Sequence, residues 1–141
     1  MTVLDIGNNI APSIMFSPAS RTATANSTAI DTGGVSWGVI VISIGNLHSS
    51  ETVTFQVQSS TTSGGTYTAA KKLGTSTDAD TAALANADDD TIVVIAVNCR
   101  NLDEFVRVSA THSGSNAQIY GVNFIAMPDY TGDAQAPTFD V

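Results

Sequence analysis

The chain has 141 residues, enough for one domain that buries about two thirds of its unfolded surface without a disulfide or a metal. Five Lys and Arg stand against 13 Asp and Glu, a net charge of −8. That balance argues against nucleic acid, whose phosphates need clustered cations, and against an anionic membrane surface.

Charged residues make up only 13% of the chain, so Ser, Thr, Asn and Gln must supply the polar surface. Residues 1–12 read as an N-terminal arm. They lack a basic n-region and a sustained apolar h-region, so no signal peptide is expected and synthesis is placed in the cytoplasm. The apolar runs Val39–Ile42 and Ile92–Val97 fall far short of the ~20 residues that span a bilayer. Ser13–Ser17 alternates weakly and predicts a first strand that stops at Pro18. Residues 20–34 predict a second strand and a Gly33-Gly34 turn.

Val35–Ile44 (VSWGVIVISI) is the first strong strand, with Trp37, Val39 and Val41 on one face and Ile40, Ile42 and Ile44 on the other. A strand apolar on both faces belongs inside a sandwich or between subunits. Thr52–Ser59 alternates cleanly: Val53, Phe55 and Val57 face in, and Thr54, Gln56 and Gln58 face out. Ser63-Gly64-Gly65 turns the chain into Thr66-Tyr67-Thr68. Residues 74–90 are polar and predict mostly loop, with one helical turn within Ala82–Ala87. Thr91–Val97 is again apolar on both faces and is expected in the core, so that a charge at Val94 would unfold the domain. Phe105–Ala110 places Val106, Val108 and Ala110 inward and Arg107 outward. Ser113–Asn116 is a turn. Ala117–Met127 puts Tyr120, Val122 and Phe124 on one face, with Gly121 permitting a bulge or a close backbone approach. Residues 128–141 read as a C-terminal arm. About eight antiparallel strands at regular spacing across residues 13–127, with almost no helix periodicity, predict an all-β sandwich or jelly roll.

Chemistry is sparse. Cys99 cannot form an intrachain disulfide because the chain has one cysteine; it reads as a buried side chain rather than a thiolate activated by Arg100. His48 and His112 lie in turn-like contexts and read as exposed loop histidines. No nucleophile elbow, zinc signature, dinucleotide fingerprint or P-loop is present. Asp78, Asp80 and Asp88-Asp89-Asp90 offer hard oxygens for calcium, but without an EF-hand register they read as a solvated acidic loop. Of the aromatics able to stack on sugar, Trp37 and Tyr120 read as core and Tyr67 and Tyr130 as exposed. The expectation is a protein with no catalytic residues, no cofactor and no metal.

Three segments carry a resemblance. VTFQVQSSTTSGG at Val53–Gly65 runs into Thr66-Tyr67-Thr68, NLDEFVRVSAT spans Asn101–Thr111, and an apolar strand closes at Ala117–Met127. In this order they resemble the head decoration, or cement, proteins of tailed bacteriophages, over residues 35–127. The resemblance implies a non-enzymatic jelly roll on the capsid exterior of the virion, bound to the major capsid protein, often as a trimer, with polar arms reaching neighbours. The alternative is a carbohydrate- or receptor-binding sandwich, such as part of a phage fibre or adhesin.

Overall fold

The computed structural model describes residues 11–128, which form nine strands and two short 3-10 turns. In chain order the strands are β1 (Ala11–Arg21), β2 (Ala25–Asn26), β3 (Ile30–Asp31), β4 (Val35–Ile44) and β5 (Val53–Ser60). They continue with β6 (Thr68–Ala69), β7 (Ile92–Asn98), β8 (Phe105–His112) and β9 (Gln118–Pro128). Sheet A has the order β1-β9-β4-β7; sheet B has β2-β8-β5-β6, with β3 also pairing β8. Every pairing is antiparallel. If β2 and β3 count as one interrupted strand, eight strands cross between two sheets in the order of a jelly roll.

Alternation builds the core. Ile40, Ile42 and Ile44 of β4, Val53, Phe55 and Val57 of β5, Val106, Val108 and Ala110 of β8, and Tyr120, Val122 and Phe124 of β9 are all buried between the sheets. Phe16 and Phe55 meet the Tyr120 ring edge-on, at centroid distances of 5.6 and 5.0 Å. Such perpendicular pairs set the ring edges of one against the face of the other.

Several boundaries differ from the sequence reading. β1 begins at Ala11 and does not stop at Pro18; it continues to Arg21. Its register against β9 breaks between Phe16 and Ala19, and the break absorbs the proline that cannot donate to a ladder. A Cβ on Gly121 would stand 2.9 Å from Pro18 Cγ, so the glycine permits the close approach foreseen for it. The expected second strand is two fragments of two residues each. In the 74–90 loop the helical turn is a 3-10 turn at Asn86–Asp88. Pro128, the first residue of the expected C-terminal arm, ends β9; residues 129–141 of that arm and residues 1–10 of the N-terminal arm lie outside the described residues.

Gly38 faces inward on β4 beneath the Phe124 ring, where an added Cβ would stand 2.2 Å from Cζ. Phe124 is fully buried and cannot retreat without disturbing its neighbours. We predict that Gly38→Ala destabilises the domain by about 1–3 kcal/mol. The measurement is a lower urea midpoint at an unchanged slope.

Candidate functional site

The two outer faces of the sandwich differ in chemistry. On sheet B the outward residues are polar and tied together. Gln58 Nε2 donates to Gln56 Oε1 at 2.7 Å, Arg107 Nε donates to Gln58 Oε1 at 2.9 Å, and the Arg107 guanidinium lies 4.0 Å from the Tyr67 ring centroid. Tyr67 is therefore half-buried and covered, not the open platform the sequence suggested.

On sheet A the register aligns a different set. Ile14 pairs Asn123, Asn123 pairs Val41 and Val41 pairs Val94, forming one cross-strand row. Pro12, Ile125, Val39 and Ala96 form the next row, and Trp37 opposite Asn98 lies beyond it. Ile92, opposite Ser43, borders the first row on the other side. Among the described residues these rows carry no charged side chain. Trp37 is 43% exposed, Ile14 59%, Val94 63% and Ile92 66%. Trp37 and Val94 were expected in the core and are not. A strand apolar on both faces is covered twice only if a layer lies on each side, and among the described residues sheet B covers sheet A on one side alone. Single exposed hydrophobes are ordinary on a monomer, but a contiguous uncharged apolar face marks an interaction site.

The titratable candidates are occupied by the fold. His112 is the last residue of β8, half-buried, and not a loop residue as expected. Its Nε2 shares a 3.0 Å hydrogen bond with the hydroxyl of Tyr120, itself in the core. Burial holds the imidazole below its usual range; nearby Glu51 works against this and Arg21 with it. Burial also raises the Tyr120 phenol, with Arg21 opposing. The Arg21 guanidinium stacks 4.6 Å from the Phe16 centroid and 4.9 Å from that of Tyr120. Glu51 accepts from the amides of Ser115 and Asn116 at 3.1 and 2.9 Å and from the Gln118 side chain at 3.5 Å. Partial desolvation pushes its carboxyl up, but the bonds from Asn116, Gln118 and Ser115 prevail and lower it. The fully buried Gln118 in turn accepts from the His48 amide at 3.0 Å. The constellation locks the 113–118 turn to the 48–52 turn. Sequence spacing gave no signal for Glu51, Gln118 or Arg21 as its members.

The acidic loop is likewise engaged with the fold. Asp78 pairs with Lys71. Asp88 accepts from the Ala85 amide at 2.9 Å, and Asp89 from the Leu47 amide at 2.7 Å. Asp90 adopts a left-handed φ of 58°. Among the described residues no three metal-ligating side chains gather. His48 Nδ1 accepts from the Ser50 amide at 3.3 Å, closing its own turn. Cys99 is buried and Arg100 exposed. Tyr130 lies outside the described residues.

The shifts at His112 and Glu51 act in the same direction with pH. Because folding lowers the His112 pKa, the unfolded chain takes up its proton first. Stability is then full above about 6.5 and declines as pH falls toward the folded value. Glu51 adds stability present above about 4.5 that is lost on further acidification. We predict that the melting temperature falls from pH 7 to pH 4. His112→Gln should flatten the upper part of that fall and Glu51→Gln the lower part, both read by thermal unfolding across pH.

No family model and no curated protein matches the chain. A solved structure, described by the words "Bacillus endospore appendages form a novel family of disulfide-linked pili", is similar at 11% identity and a TM-score of 0.50. The match covers 86% of this chain and 90% of that one. At that identity the likeness shows a shared β-sandwich fold.

Proposed function

We propose that the chain is a non-enzymatic structural protein that binds the outer surface of a tailed-phage capsid and stabilises it, as a trimer partnered by the major capsid protein. The observation that carries this reading is the uncharged apolar outer face of sheet A, presented beside a polar sheet B. Exposing a surface of that kind to water costs free energy, and covering it against another surface is favourable by about 25 cal/mol per Å² of apolar area covered. Repetition over a lattice multiplies modest contacts into avidity. The decoration-protein resemblance of residues 35–127 supplies the class of lattice. The similar pilus protein is described as disulfide-linked. This chain has a single cysteine and that one is buried, which favours assembly by non-covalent contact.

The test is co-sedimentation with capsids built from the major capsid protein. Ile92→Asp and Val94→Asp change two exposed positions, so melting should move by no more than about 0.5 kcal/mol in stability. Each should weaken capsid binding at least about tenfold, a loss of 1.4 kcal/mol or more. Failure of the wild-type protein to sediment with capsids, or full binding by both variants, contradicts the reading. Glycan binding through the exposed Trp37 without capsid binding favours the carbohydrate- or receptor-binding alternative instead.

A further inference from the structure

The two sheets part along one side of the sandwich. The edge of sheet A there is β7, and the edge of sheet B is β6, extended by the 71–84 segment. Between them runs a cleft of about 1070 Å³. Its lining includes the buried Val57, Ala70, Leu84 and Val97 and the half-buried, inward-facing Val93 and Ile95 of β7. Among the described residues β7 pairs with β4 alone, so alternate backbone N–H and C=O groups along its other edge lack a strand partner. Asp80 also lines the cleft, and its Oδ1 is buried with no hydrogen-bond partner among the described residues. An open backbone edge beside an apolar hollow fits an added strand. Main-chain bonds would satisfy the edge, and every second side chain would fill the hollow.

We propose that this cleft takes residues 2–10 of a second copy of the chain, added to β7 as a fifth strand of sheet A. In that segment, TVLDIGNNI, Leu4, Ile6 and Ile10 fall on one face at strand spacing, with no proline and one charge, Asp5. The C-terminal residues 129–141 suit an apolar cleft less well, with three aspartates and Pro137.

Chain length selects a second copy over the same one. Ala11 pairs Ala126, Ala126 pairs Gly38 and Gly38 pairs Val97, so the segment leaves sheet A at the edge opposite β7. A strand added beyond β7 lies four interstrand steps from β1, about 19 Å. Ile6 lies five residues from Ala11 and reaches at most about 18 Å from it even when fully extended. Ile6 and Ile10 therefore fall short of their own chain's cleft, so a strand of residues 2–10 fits only along a neighbour's β7.

The test is amide hydrogen exchange on the full chain across a concentration series, with solution mass measured alongside. The β7 amides that point away from β4 should exchange at least tenfold more slowly at high concentration than at low. The double variant Leu4→Asp/Ile6→Asp should remove that protection, and a synthetic peptide, MTVLDIGNNI, should restore it. Protection unchanged in the double variant overturns the proposal. Protection that depends on Leu4 and Ile6 but persists in a monomer at every concentration places the segment on its own chain and also overturns it. Capsids take no part in this experiment, so its outcome is independent of the capsid reading.

Discussion

A strand sends alternate side chains to opposite faces, and in β4 and β7 both sets are apolar. That double demand shapes the molecule. Ile40, Ile42 and Ile44, with Val93 and Ile95 of β7, turn toward sheet B and complete the core with Phe55, Tyr120 and Phe124. The other set, Trp37, Val39, Val41, Ile92 and Val94, then has nowhere to go within one sandwich. Sheet B can cover one side of sheet A and no more. Among the described residues nothing covers the outer face of sheet A, and the proposed capsid contact is the means of covering it.

The polar residues fit a scaffold role. Glu51, Gln118, His48 and His112 join turns that are distant in sequence; Glu51 and Gln118 stand 67 residues apart. Glu51 and Gln118 are engaged with backbone amides and with each other, and His112 Nε2 meets the Tyr120 hydroxyl while its buried Nδ1 has no partner among the described residues. Asp88 and Asp89 likewise cap and clasp the loop before β7. Side chains that elsewhere perform acid–base chemistry here hold the ends of the sandwich in register.

Much of this was legible in the sequence. The strict alternation of Val53–Val57 and of Val106–Ala110 set both strands and their inward faces, because one polar and one apolar face leave a single solution. The apolar pattern of Val35–Ile44 left two solutions, a second covering layer or an interface. Trp37 and Val94 were misplaced because local pattern does not say how many layers a chain builds. Pro18 reads locally as a strand end, and only the bulge against Gly121 lets β1 run past it. His112 was misassigned because β8 runs two residues past Ala110 and keeps its pairing with Val53 as far as His112, directly before the Ser113–Asn116 turn. The Glu51 cluster was invisible because its members meet only after the jelly-roll crossings bring two turns together.

The chain has one tryptophan, and it stands on the face at issue, 43% exposed. Acrylamide quenching of Trp37 fluorescence, compared between protein in dilute solution and protein bound to capsids, therefore reads the central claim directly. Covering of sheet A predicts a blue-shifted emission and quenching reduced severalfold on the bound protein. Emission and quenching identical in the two states would show that sheet A stays open to water, and that the assembly uses another face.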